Sequence, residues 1–130
     1  MIELSLMQKN RAKEILGEIP ILLEHGSYNT AVNRSYYAAF HMLKALEVLN
    51  LFDSKKHSGV ISYFRASYIK TGVFPEELSD IIGSLQDARE DSDYNIVVLF
   101  DEETADGLYR ESLRFCRVIE QYLSEQYTNR

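Results

Sequence analysis

The apolar positions of this chain recur at three- and four-residue intervals in five separate stretches, the spacing that gathers side chains on one face of an α-helix. The first stretch runs from about Ser5 to His25, with Ala12, Ile15, Leu16, Ile19, Leu22 and Leu23 on or beside one stripe. Pro20 lies inside it and lacks a backbone donor, so a kink is expected there. Gly26 suits the position just past a helix end, and Ser27 or Asn29 suits the cap of the next helix. The second stretch, about Tyr28 to Asn50, carries two stripes. Val32, Tyr36, Ala39, Leu43 and Leu46 form one, and Arg34, Tyr37, His41, Ala45 and Val48 form another on roughly the opposite side. A surface helix needs one such face, so this helix is expected at the centre of the fold, its second face on a pocket or a partner.

The third helix is expected over roughly 56–70, with His57, Ile61, Phe64 and Tyr68 on one face and Thr71-Gly72 as its stop. Pro75 suits the first position of a fourth, with Glu76 and Glu77 favourable in its first turn. The stripe of this helix is Leu78, Ile82, Leu85 and then Arg89, and Asp91-Ser92-Asp93 is expected to break it. Ile96 to Phe100 is strand-like but short and without a second strand to pair with, so it reads as an extended, buried connection. Asp101-Glu102-Glu103 suits the start of a fifth helix reaching about Gln126, with Ala105, Leu108, Phe115, Ile119 and Tyr122 inward. Short links between amphipathic helices predict an all-α, up-and-down bundle of about five helices, one domain spanning residues 1–130.

Composition narrows the function more than the fold. A net charge of −6 opposes a sequence-independent grip on nucleic acid, and DNA is not an expected partner. A small basic cleft on an acidic body remains compatible with it. The single cysteine, Cys116, cannot form an intrachain disulfide, and no basic start precedes a long apolar run. A cytoplasmic protein with no membrane partner is the expectation.

Residues 33–41, Asn-Arg-Ser-Tyr-Tyr-Ala-Ala-Phe-His, together with Lys56-His57-Ser58-Gly59-Val60-Ile61 and with Arg89 and Asp93-Tyr94, resemble the HEPN superfamily. The likeness is to its branch of small prokaryotic proteins with a Tyr-Tyr-Ala-x-Phe-His signature, and it covers the chain from about Ala12 to Tyr122. It implies a HEPN-like helical bundle, commonly paired around a shared cleft. HEPN ribonucleases carry an arginine, four to six intervening residues and a histidine late in the bundle. The histidine takes the proton of an RNA 2′-hydroxyl and the arginine holds the phosphate, with no metal needed. Here Arg89 is present, but Asn95 stands where that histidine is expected, and an amide is no general base.

Three groups of residues remain as candidates. Arg89, with Asp93 and Tyr94, either holds a phosphate or anchors the helix end through Asp91 or Asp93. Arg34, Tyr37 and His41, spread over two turns of the second helix, either address one phosphate or fill an interface, with Arg34 pairing an acid across it. Lys55, Lys56, His57 and Ser58 place cations at a helix N-terminus, which suits an anion better than the helix. The alternative there is a solvated charge run with His57 turned inward. Glu-x-x-His pairs, a glycine-rich phosphate loop and a zinc-type cysteine pair are all missing, so no metal and no cofactor is expected.

The function expected from these features is a nucleotide- or partner-binding module. It would resemble HEPN proteins that work with a minimal nucleotidyltransferase in a toxin–antitoxin-like pair, its ribonuclease motif degenerate. The alternative is a metal-independent RNA endonuclease using Arg89 or Arg34 with His41, which a central second helix makes the better-placed substitute histidine. The two-faced second helix also predicts a homodimer.

Overall fold

Helix follows helix along the computed structural model, which describes residues 1–94 and 98–129, with the backbone alone at 94. The elements are α1 (Ile2–Glu24), α2 (Tyr28–Val48), α3 (His57–Phe64), α4 (Glu76–Tyr94) and α5 (Glu102–Thr128). α3 passes directly into a π-helical turn over Arg65–Ile69. The expected all-α bundle is the fold, and no strand occurs among the described residues.

α2 is central as expected, packing against each of the other four helices. Its first stripe, Val32, Tyr36, Ala39, Leu43 and Leu46, is fully buried. Its last four residues share one core with Ile15 of α1, Phe64 of α3, Leu78, Ile82 and Leu85 of α4, and Phe115 and Ile119 of α5, while Val32 packs with Ala88 and Ala105. An aromatic group of Phe64, Tyr68, Phe74, Phe115 and Tyr122 fills the space between the π-turn and α5.

The second stripe of α2 is only partly open, because α1 covers its Ala45 end. Ser5 of α1 donates to the Ala45 carbonyl at 2.7 Å and meets the Tyr127 hydroxyl at 2.6 Å. The two-faced pattern that predicted a dimer on α2 is therefore partly answered within the chain. Arg34, Tyr37, His41, Lys44 and Val48 remain half-exposed, forming an open flank of α2 beside α1.

Several expected boundaries move, each for a local reason. α1 runs through Pro20 without ending, and Gly26 follows it at φ 74°. Asn29 does not cap α2. Its side chain donates to the Val98 carbonyl and accepts from the Phe100 amide, both at 2.9 Å, and so ties down the approach to α5. α4 is not broken at Asp91-Ser92-Asp93 but continues to Tyr94. The Arg89–Asp93 pair at 3.0 Å spans one turn there, and the Ser92 hydroxyl donates to the Arg89 carbonyl at 3.0 Å. The connection before α5 is not uniformly buried, for Leu99 is largely exposed and Phe100 half-buried against Val32, Ala88 and Ala105. Residues 95–97, including Asn95, lie outside the described residues. Asp101 caps α5, accepting from the Thr104 amide at 2.8 Å.

Candidate functional site

The first half of α2 places Asn33, Tyr36, Tyr37 and Phe40 along one side of the helix, where α3 and the last turns of α4 approach it. Arg89 comes from α4 at the end of an apolar stripe, so its guanidinium arrives where the core meets solvent. Its Nε donates to Asp93 at 3.0 Å and its Nη2 donates to the Tyr37 hydroxyl at 3.0 Å. The guanidinium carbon lies 5.4 Å from the Tyr36 ring centre and 5.5 Å from that of Tyr37, inside cation–π range. The other carboxylate oxygen of Asp93 accepts from Asn33 at 2.8 Å. The guanidinium is thus fixed by two helices at once.

His57, the first residue of α3, enters the same cluster from the other side. Its Nδ1 pairs with the Tyr36 hydroxyl at 2.8 Å, and its ring stacks on Phe40 at 4.1 Å. Its edge meets Tyr37 at 5.8 Å. Burial lowers the His57 pKa, and Arg89 and then Lys44 push it down further. Burial raises the pKa of Tyr36, so its phenol stays protonated beside the imidazole. In the tautomer that donates Nδ1–H to the Tyr36 oxygen, Nε2 keeps its lone pair and can accept a proton; in the other, the Tyr36 hydroxyl donates to Nδ1 and Nε2 carries the proton.

The remaining expected residues divide into two settings. His41 sits on the α1 side of the open flank, its Nδ1 paired with Gln8 at 2.7 Å. Burial lowers its pKa, followed by the charges of Arg11, Lys44, Arg34 and His57. Arg34 faces Glu18 of α1 at 3.9 Å, and Lys44 pairs with Asp53. Arg89 and His57 touch the same two rings, Tyr36 and Tyr37, whereas His41 pairs with Gln8, so His57 is the histidine that shares the surroundings of Arg89.

The α3 entry offers little to an anion. Lys55, Lys56 and Ser58 are exposed, and no side chain caps the helix. The Ser54 hydroxyl is spent on the Lys56 backbone, at 3.2 Å to both its amide and its carbonyl. A Cβ at Gly59 would meet the Ser54 side chain, which would have to turn away. His57 alone of the group turns inward, to Tyr36 and Phe40. The Tyr94 side chain lies outside the described residues. Among those described, no group of three or more His, Cys, Asp or Glu side chains is placed to hold a metal ion, and no helix is long and apolar enough to cross a membrane.

Sequence reasoning passed over Asn33, Tyr36 and Gln8 as site residues. A four-residue spacing was the available signal: Asn33 and Tyr37 recur on the side that faces Arg89, and Tyr36 and Phe40 on the side that faces His57.

A family model described as the HEPN domain matches residues 7–122. Over 117 residues the chain is 32% identical to a UPF0332 protein of Thermotoga maritima, a match covering 90% of this chain and 89% of that one. Two relatives from Methanocaldococcus jannaschii carry toxin names. "Putative toxin MJ0605" is 35% identical over 82% of this chain and 80% of its own length. "Putative toxin MJ0142" is 33% identical over 74% of this chain and 65% of its own length.

Proposed function

Since the chain belongs to the HEPN domain family, we propose that it is a toxin-like binding module that takes a phosphate-bearing ligand, a nucleotide or a short stretch of RNA, along the open flank of α2. It works with a minimal nucleotidyltransferase in a toxin–antitoxin-like pair. The observation that carries the reading is that Arg34 and Lys44 lie on the half-exposed flank of α2 and Arg89 reaches Tyr37 on it, in a chain of net charge −6. The acids that pair with these cations, Glu18, Asp53 and Asp93, are the groups a phosphate would displace. Tyr37 and His57 add ring surfaces on which a base can stack.

The test is titration of labelled RNA and of nucleotides into purified protein. Arg89→Ala and Lys44→Ala are each expected to weaken binding by about tenfold, with a steep salt dependence. Unchanged affinity in both variants rejects this flank as the site. Copurification with a nucleotidyltransferase encoded beside this chain supports the pair. A neighbourhood without one removes it.

A second reading, a metal-independent RNA endonuclease, is favoured by the placement of His57 against the two tyrosines that Arg89 touches. The 2′-hydroxyl proton would pass to His57 Nε2 as the 2′-oxygen bonds to phosphorus. The bond from phosphorus to the 5′-oxygen would break, and that oxygen would take the proton back from the imidazolium. Products ending in a 2′,3′-cyclic phosphate in the presence of a chelator, lost in both Arg89→Ala and His57→Ala, would establish it. Loss in His41→Ala with full activity in His57→Ala would return the role to His41.

A further inference from the structure

One arginine of the bundle is seated without an opposite charge. Arg34 and Arg89, the other half-buried arginines among the described residues, face Glu18 and Asp93. Arg65, at the start of the π-turn, is also half-buried, and its partners are neutral. Its Nε donates to the Ser79 hydroxyl at 3.0 Å and its Nη2 to the Ser79 carbonyl at 3.3 Å. The guanidinium lies against α4 at Gly83, where an added Cβ would come within 3.1 Å of Nη2. Asp80 and Asp87 of α4 flank that seat in sequence, yet neither pairs with Arg65. In a chain with 20 acidic residues, a partly desolvated cation held on neutral groups alone is a cost that local packing does not explain.

The bonds to Ser79 also define which donors remain. They occupy the edge of the guanidinium formed by Nε and Nη2. The end formed by Nη1 and the second hydrogen of Nη2 keeps two parallel donors, the arrangement that matches two oxygens of a phosphate. α3 and α4 each pack on α2 but hardly on one another, and the π-turn is what closes onto α4. The groove between them has α2 as its floor, Arg65 at its closed end, and His57 with Arg89 at its open end. Ser58 and Ser62 precede Arg65 at helical spacing on α3, and Gly83 and Gln86 follow Ser79 on α4. Neither run meets an acid before Glu90, at the open end.

We propose that Arg65 is a second phosphate-binding position, reached by an RNA strand that continues from Arg89 along the groove between α3 and α4. The proposal rests on the phosphate-bearing ligand assigned to the α2 flank, and it narrows that ligand to an oligonucleotide. His57 and Arg65 are separated by roughly 12 Å of helix rise, so the single phosphate of a nucleoside monophosphate cannot serve both ends.

Affinities of AMP and of a hexanucleotide RNA for the full chain, each measured against salt, test it. Arg65→Gln is expected to weaken the hexanucleotide by about fivefold and to reduce its salt slope by about 0.7, one phosphate contact on a single strand, while AMP binds as before. Arg89→Ala is expected to weaken both ligands. Glu90→Gln is expected to tighten the hexanucleotide by about twofold, by removing a like charge from the strand's path. Arg65→Lys keeps the charge and loses the fork, so it is expected to retain the salt slope and still bind the hexanucleotide about threefold more weakly. Equal losses for AMP and hexanucleotide in Arg65→Gln, or an unchanged salt slope, overturn the proposal. Should Arg65→Gln fail to fold, Arg65→Lys decides, and wild-type affinity in it overturns the bidentate seat. A hexanucleotide sensitive to Arg65→Gln but indifferent to Arg89→Ala keeps this position and rejects the α2 flank. The reverse pattern rejects this position alone, and a hexanucleotide that does not bind rejects both.

Discussion

The two ends of α2 handle polarity in opposite ways. Near its start, Asn33, Tyr36 and Tyr37 reach Asp93, His57 and Arg89, and each of these bonds joins different helices. Near its end, Glu47 is 1% exposed, and neither carboxylate oxygen has a hydrogen-bond partner. Just beyond it, Leu51 takes a left-handed backbone at φ 59° and leaves its side chain 75% exposed. The first end holds charge in place at the surface, where a ligand can compete for it. The second confines a potential charge where it can only stay protonated, since burial pushes the Glu47 pKa up to about 9. Partnered charge at one end and unpartnered acid at the other predict substitutions of opposite sign.

The largest effect is expected from Arg89. Replacing it with alanine removes the bonds to Asp93 and Tyr37 and the contact with two aromatic rings, on a side chain that is mostly buried. A loss of about 2–3 kcal/mol in urea unfolding is expected. Arg89→Lys is expected to recover little of it, because one ammonium cannot serve Asp93 from Nε and Tyr37 from Nη2 together. A lysine variant as stable as wild type would mean that charge alone, rather than the guanidinium fork, holds this end.

Glu47 comes next, with the opposite sign. Its folded pKa lies far above the ordinary 4.5, so protonation favours the folded state. The stabilising contribution is complete below pH 4.5 and is lost as pH rises toward 9. Glu47→Met has similar length and no charge, and is expected to gain about 1–3 kcal/mol at pH 8 and less at pH 5. His57 and His41 set the other limb. Their pKa values are lowered, so their contribution is present above about 6.5, the ordinary histidine value, and is lost as pH falls below it. His57→Phe keeps the stack on Phe40 and removes the titration. Melting temperatures from pH 4 to 10 should therefore flatten on the alkaline side in the first variant and on the acid side in the second. Parallel curves for all three proteins would remove the contrast between the ends.

How much of this was legible in the sequence depends on how far each contact reaches. The five helices were legible because every stripe repeats over several turns, and Arg89 stood out as a charge at the end of an apolar stripe. Helix periodicity could not show that α4 survives Asp91-Ser92-Asp93, because Asp93 is held both by Arg89 one turn back and by Asn33 of α2. Asn29 looked like a cap because capping is local, whereas its actual bonds reach residues 98 and 100. His57 was visible as an inward-facing residue, but its pairing with Tyr36 depends on how α3 crosses α2. Choosing between His41 and His57 therefore required the packing. The central helix carries His41 and α3 carries His57, and only the packing shows that His57 shares two tyrosine rings with Arg89.

The smallest expected effect belongs to Leu51, just past the far end of α2. The Phe52 amide donates back to the Glu47 carbonyl at 3.2 Å, the closing bond of a helix end that favours glycine or asparagine at the position before it. Leucine occupies that position, its Cβ crowding the backbone and its side chain gaining little from burial. Leu51→Asn is expected to stabilise the chain by about 0.5–1 kcal/mol, read from urea unfolding. Leu51 also lines a concavity with Leu4, Gln8 and Val48. If stability rises, the left-handed leucine is kept for the surface it presents rather than for the turn it makes. If stability is unchanged or falls, the leucine side chain holds this end of α2 despite its exposure.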